Sequence, residues 1–240
     1  MSGHNKWSTI KHTKGKNDAA RAKVFTKLGK VIGVAVKLGG ADPVMNPALR
    51  DAINKAKANN MPNDNIERSI KRATGEGNSE HYETIFYEGY GVGGSAVIVE
   101  TLTDNKNRTA GEMRHIFDKF GGSLGTSNSV SFMFDRKGII AIEKSNTFTE
   151  EQLFEWILEA GADDMQISED GYEVITSTSE FSNVKTYLEQ KNVTFVSAEV
   201  EYIPNNYLTL PEEKLATFER MLEKFDDNDD VQNVYHNVEL

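Results

Sequence analysis

Residues 95–122 read SAVIVETLTDNKNRTAGEMRHIFDKFGG, and within them the hydrophobic period changes. Ala96, Val97, Ile98 and Val99 form an unbroken apolar run, which predicts a buried strand. A helix then starts between Asn105 and Asn107. Its Met113, Ile116, Phe117 and Phe120 recur at three and four residues, and Gly121-Gly122 ends it. A further strand is expected near SVSFMF, where Ser129, Ser131 and Met133 alternate with Val130, Phe132 and Phe134. A helix flanked by strands makes this region a layered α+β domain. Upstream, YETIFYEGY from Tyr82 is an aromatic-rich strand candidate.

Towards the C-terminus, residues 137–203 repeat the alternation within themselves. GIIAIE is a strand. Thr149 and Gln152 make a capping box for a helix carrying Leu153, Phe154, Ile157 and Leu158. MQIS and YEVIT flank a turn at Asp170-Gly171, a second helix carries Phe181, Val184 and Leu188, and VTFVSAEVEYI closes the set. The order is β-α-β-β-α-β, the ferredoxin-like split βαβ arrangement. After Pro204 come the apolar piece YLTL, a helix opened by Pro211, and a last strand in VQNVYHNV. Joined to residues 94–134, this tail makes a second β-α-β-β-α-β set. Residues 79–134 with 204–240 are therefore expected to form one discontinuous domain, interrupted at a tolerated surface turn by a domain over residues 135–203.

Towards the N-terminus the character changes. Residues 1–75 hold fifteen Lys or Arg against five Asp or Glu, a net charge of +10. The remaining residues hold twelve against thirty-two, a net of −20, so the overall pI near 5.1 hides a charge dipole. Residues 1–16 are polar and cationic and read as a phosphate-contacting arm, mobile or pinned by Trp7 and Ile10 against the helices behind it. Asn17 or Asp18 caps a helix running to Lys37, with Phe25, Leu28, Ile32 and Ala35 inward and Lys23, Lys27, Lys30 and Lys37 on the other side. Gly29 and Gly33 weaken its propensity and invite a close helix crossing. Asn46-Pro47 starts a second helix and Pro62 a third. Three amphipathic helices over residues 1–78 close a small bundle, and Glu76 to Ser79 read as a linker.

Composition excludes several chemistries. The chain has no cysteine, so thiolate nucleophiles, disulfides and Cys-ligated metals are absent. His4, His12, His81, His115 and His236 show no ligand spacing. Counted from Asp226, the sixth and twelfth positions of a calcium loop would be Val231 and Asn237, which do not fit. Asp226, Asp227, Asp229 and Asp230 read instead as a solvated acidic turn. EGYGVGGSA lacks the Lys of a phosphate loop and precedes a strand, so it reads as a tight turn. No metal, no cofactor and no catalytic residue is expected. No apolar run is long enough for a membrane, and no signal-peptide core follows the basic start, so a cytoplasmic location is expected.

A polyanion is the partner that the charge segregation favours. The candidate contact residues are Lys6, Lys11, His12, Lys14, Lys16, Arg21, Lys23, Lys27, Lys30, Lys55, Lys57, Arg68, Lys71 and Arg72. Lys106, Arg108 and Arg114 cluster about a helix N-terminus and form an auxiliary anion-site candidate, an anchor for the first domain, or a surface network. Phosphate contact gives salt-sensitive affinity but does not select sequence.

GHNKWSTIKHTK, DAARAKVFTKLGKVI, NPALRDAINKAKANNMPNDNIERSIKRATGEG, YEGYGVGGSAVIVETLTDNKNRTAGEMRHIFDKFGGSLG, SVSFMFDRKGII and DDVQNVYHN together resemble the YebC/PmpR family, whose mitochondrial relatives are translational activators. The resemblance implies an N-terminal helical bundle with two α+β domains, one built from separated segments. It implies a cytoplasmic, non-enzymatic transcriptional regulator that binds DNA. A second line in the family is translational, with association to ribosomes through ribosomal RNA and relief of stalled elongation. A protein-only interaction module stands as the reading from another class, and a monomer is the expected state. The sequence departs from the family pattern at Ala20, Ala22, Gly29, Asn63, Val92 and Phe132, and the losses at Ala20, Gly29 and Asn63 thin the positive face slightly.

Overall fold

A computed structural model describes residues 18–75, 81–145 and 147–240. The proposed arm, with Lys6, Lys11, His12, Lys14 and Lys16, lies outside the described residues, as do Asn17 and the linker after Gly75. The described residues form seven α-helices and two four-stranded antiparallel sheets, an α+β protein. They fall into two compact units, one of residues 134–205 and the other of the described residues up to 133 together with 206–240.

The larger unit begins with α1 (Asp18–Gly39), α2 (Pro47–Ala58) and α3 (Asn63–Thr74). Leu28, Ile32, Val36, Leu49, Ala56 and Ile66 are buried among them, as the three-and-four spacing requires. Gly29 and Gly33 lie where α1 meets α3. A Cβ on Gly29 would stand 3.1 Å from Ser69 Oγ, and one on Gly33 would stand 3.9 Å from the Ala73 Cβ. The bend from α1 to α2 is held by buried Asn46. Its Nδ2 donates to the carbonyls of Ala35 and Gly40, both at 2.8 Å, and its Oδ1 accepts from the Leu49 N–H at 3.1 Å.

The same unit carries a sheet of order β3-β1-β2-β8, made of β1 (Glu83–Tyr90), β2 (Ala96–Thr103), β3 (Ser123–Leu124) and β8 (Val231–His236). Two helices, α4 (Lys106–Lys119) and α7 (Glu212–Asp226), pack on it. Val97, Val99, Met113, Phe117, Phe218 and Phe225 share this core, with the Phe117 and Phe225 rings edge to face at 5.2 Å. The β2–β8 register shifts between Glu100 and Thr101, yet the Leu102 N–H still donates to the Asp230 carbonyl at 2.7 Å. That shift fixes Asp230 beside the start of α4.

This unit departs from the β-α-β-β-α-β order expected for residues 79–134 with 204–240. The elements run β1-β2-α4-β3 and then α7-β8. YLTL contributes only an isolated bridge from Leu208 to Val238. Ser131–Met133 is a 3₁₀ turn rather than a strand, and the next strand begins at Phe134. The buried Glu88 carboxylate explains the missing strand at residues 129–133. It accepts the backbone N–H groups of Asn128, Val130 and Ser131 at 2.8–3.0 Å, so Val130 and Ser131 have no N–H to offer a strand ladder.

The smaller unit runs β4 (Phe134–Glu143), α5 (Glu150–Ala160), β5 (Asp164–Ile167), β6 (Gly171–Ser177), α6 (Phe181–Gln190) and β7 (Ser197–Pro204), in sheet order β5-β6-β4-β7. The β-α-β-β-α-β succession is the one read from the sequence for this segment. The Thr149–Gln152 capping box is formed in both directions. Ile140, Leu153, Ile157, Val174, Val184 and Leu188 fill the core.

Candidate nucleic-acid interface

The sequence places Lys23, Lys27 and Lys30 four and three residues apart, so they share one stripe of α1. The structure turns that stripe onto the loop between α7 and β8 rather than onto open solvent. Lys23 Nζ lies 2.7 Å from Asp227 Oδ1. Lys27 Nζ donates to the Asp226 carbonyl at 2.7 Å and lies 3.4 Å from its carboxylate. Lys30 Nζ donates to the Asp229 carbonyl at 2.9 Å and to Asp230 Oδ1 at 2.7 Å. The expected outward set of lysines is therefore corrected: Lys27 is buried, and Lys23 and Lys30 are half-buried. Helix period puts them on the polar side of α1. The burying partner lies about 200 residues away in sequence.

Nor is the acidic segment simply a solvated turn. Asp226, Asp227 and Asp229 are exposed, but Asp230 is only 4% exposed. Its Oδ1 takes Lys30, while its Oδ2 accepts from Arg108 Nη2 and the Thr109 hydroxyl, both at 2.8 Å. Asn228 shapes the loop: its Oδ1 accepts the Asp230 N–H at 2.9 Å, and its Nδ2 donates to Glu112 at 2.7 Å. Desolvation, the largest single influence, pushes the Asp230 carboxyl upward. The hydrogen bonds from Arg108, Lys30 and Thr109, with the Lys30 charge, outweigh it and hold the group at about 2. Lys23 is raised chiefly by its hydrogen bond to Asp227, and Asp227 is lowered by the same bond. Arg108 is raised by Asp230 and then Asp104. Around these groups lies a polar cleft of about 440 Å³, lined by Lys30, Tyr82, Arg108, Glu112 and the loop acids.

Arg108, expected as part of an auxiliary anion site, has two carboxylates as partners, Asp104 at 2.9 Å and Asp230 at 2.8 Å. It joins α4 to the loop that also holds α1. Lys106 and Arg114 remain exposed.

A second cationic surface is arranged differently. On α3, Arg68, Lys71 and Arg72 recur at three and four residues and are all exposed, opposite the inward Ile66, Ile70 and Ala73. Arg68 is braced locally, by the Asp64 carbonyl at 3.2 Å and Asn65 Oδ1 at 2.9 Å. Arg21 on α1 and Lys55 and Lys57 on α2 are also exposed. Sequence reasoning missed the acidic partners of α1. The signal was present as two opposite charge runs, a Lys stripe and DDNDD, but nothing local joins them.

Among the described residues, no group of three or more His, Cys, Asp or Glu side chains is arranged to hold a metal ion, and no helix is long and apolar enough to cross a membrane.

These features define a multidomain α+β protein that carries a basic helical module. The chain belongs to the TACO1/YebC family: the family's N-terminal domain matches residues 5–76, and its second and third domain match residues 82–238. A "Probable transcriptional regulatory protein" of Acetivibrio thermocellus is 53% identical over 238 residues, covering 99% of this chain and 98% of that one. One of the same description from Clostridium botulinum is 53% identical over 240 residues, covering 100% and 98%. The crystal structure of the conserved hypothetical protein Aq1575 from Aquifex aeolicus is similar, with a TM-score of 0.80 and 43% identity over 93% of this chain and 92% of that one.

Proposed function

We propose that this protein is a non-enzymatic transcriptional regulator that binds DNA through its basic helical module. The observation that carries this reading is the exposed Arg68, Lys71 and Arg72 face of α3, whose apolar side is committed to the bundle. Arg presents a planar donor fork and Lys a mobile point charge, and both suit phosphate oxygens. Lys55 and Lys57 of α2 and Arg21 of α1 extend the contact, as do Lys6, Lys11, His12, Lys14 and Lys16 of the arm. The names of the relatives support regulation of transcription. The −20 charge of the remaining residues repels phosphate and restrains non-specific binding.

The proposed organisation has three domains: residues 1–78, residues 79–134 with 204–240, and residues 135–203. Three separate apolar cores support it. The proposed location is cytoplasmic and the proposed state a monomer.

The test is ultraviolet crosslinking in cells, with DNA and RNA contacts mapped at residue resolution. Crosslinks from residues 1–75 to promoter DNA are expected. Crosslinks confined to ribosomal RNA would replace the DNA reading with a translational one, and crosslinks to protein alone would overturn both.

A further inference from the structure

The acidic loop presents carboxylate oxygens to the lysines of α1 in the way a phosphate backbone would. The contacts are graded. Lys23 and Asp227 have side chains 43% and 51% exposed, so water and competing anions reach both. At the other end Lys30 and Asp230 are 15% and 6% exposed, and Arg108 and Thr109 close the carboxylate from the far side. Between them, the Asp226 carboxylate is 54% exposed and lies 3.4 Å from Lys27, the longest of the three pairs, while Lys27, 11% exposed, is held by the Asp226 carbonyl at 2.7 Å. Exposed ion pairs in water exchange partners at little cost, whereas a closed and multiply bonded one does not. Lys224 also reaches Asp227, at 3.5 Å, so this acid has a second cation available when Lys23 leaves.

We propose that the Asp226–Asp230 loop is an intramolecular competitor for the polyanion, which displaces it from Lys23 and Lys27 on binding while Asp230 stays in place as the hinge. This inference rests on the nucleic-acid reading above. The resting protein offers the α3 face first. Engagement of phosphate there raises the local anion concentration beside α1 and opens the outer rungs of the clasp. Lys23 and Lys27 then add their charges to the contact. The loop thereby sets a threshold: a short or weakly charged anion meets only α3, and a longer one recruits α1 as well.

The experiment uses the full chain, with a fluorescent DNA duplex and a fluorescent RNA stem–loop as probes. An Asp226→Asn/Asp227→Asn/Asp229→Asn variant removes the three exposed carboxylate charges of the loop, leaves the Asp226 and Asp229 carbonyls to Lys27 and Lys30, and keeps Asp230. A Glu155→Gln/Glu169→Gln/Glu189→Gln variant makes the same change in net charge at exposed positions of the smaller unit. The loop variant is expected to bind at least about threefold tighter than this control, with a log-affinity against log-salt slope steeper by about 1–2. Equal affinity and slope in the two variants would overturn the proposal and leave the nucleic-acid reading standing. Absence of binding by the unaltered protein to either probe would sink the reading and the inference together. A covalent lock gives the converse test, since the chain has no cysteine of its own. In a Lys23→Cys/Asp227→Cys variant, bridging by a short bismaleimide should weaken binding at least about threefold relative to the unbridged variant. Unchanged affinity on bridging would also overturn the clasp.

Discussion

Two groups of cations in the helical module have opposite surroundings. Lys23, Lys27 and Lys30 on α1 meet acids from the far end of the chain. Arg68, Lys71 and Arg72 on α3 are exposed, with Arg68 braced by its own helix. Both groups sit at three-and-four spacing on the polar side of an amphipathic helix, so local sequence does not separate them. The difference teaches that a basic face is a property of the folded chain: charge counts say how many cations exist, and tertiary partners decide which are presented.

The largest expected effect breaks the α1 side of this comparison at its buried end. Asp230→Asn removes the charge that joins Lys30, Arg108 and Thr109. It should cost about 2 kcal/mol, read as a fall in Tm of about 4–8 °C. Little change in Tm would show that the clasp does not hold the module. The same carboxylate sets a pH dependence. Its folded pKa is depressed to about 2 from an ordinary value of 3.8, so its contribution is fully present above pH ~4 and is lost as pH falls through 2. Thermal unfolding across that window should show a steeper acid loss in the unaltered protein than in Asp230→Asn.

The α3 side is tested by Arg68→Ala/Lys71→Ala/Arg72→Ala. Affinity for a DNA duplex should fall at least about tenfold, with the salt slope reduced by about 2–3 and Tm nearly unchanged. Unaltered binding would remove α3 from the interface. The smallest effect concerns the crossing that carries both groups. Gly33→Ala places its Cβ at ordinary contact distance from Ala73 and gains helix propensity, so a stabilisation of about 0.5–1 kcal/mol is expected in chemical denaturation. Destabilisation would mean that α1 and α3 are already packed to their limit.

Periodicity and capping made much of the fold legible. The α1–α3 stripes, the Asn46 cap and the Thr149–Gln152 box depend on neighbours within a few residues, and such signals survive in one dimension. The alternation of Ser129 to Phe134 misled because Glu88, some forty residues away, takes the backbone N–H groups there. The short β3, only Ser123–Leu124, leaves too little pattern to detect. At the site, helical spacing puts Arg68, Lys71 and Arg72 on the polar side of α3, and their exposure is read only from the folded chain. The pairing of Lys30 and Arg108 on one carboxylate needs the register shift that brings Asp230 beside Leu102, and no local pattern encodes that.

The buried Asn46 carries a consequence for chemical ageing. Asparagine deamidates chiefly when the N–H of the next residue attacks the side-chain carbonyl and closes a succinimide. Here the next residue is Pro47, which has no N–H to make that attack. The amide that ties α1 to α2 is thus shut off from the commonest route to a carboxylate. Its two donated hydrogen bonds need the NH₂ group that deamidation would remove. The joint that holds the basic module together is built from a residue type that ages, placed before the residue that closes its commonest route of ageing.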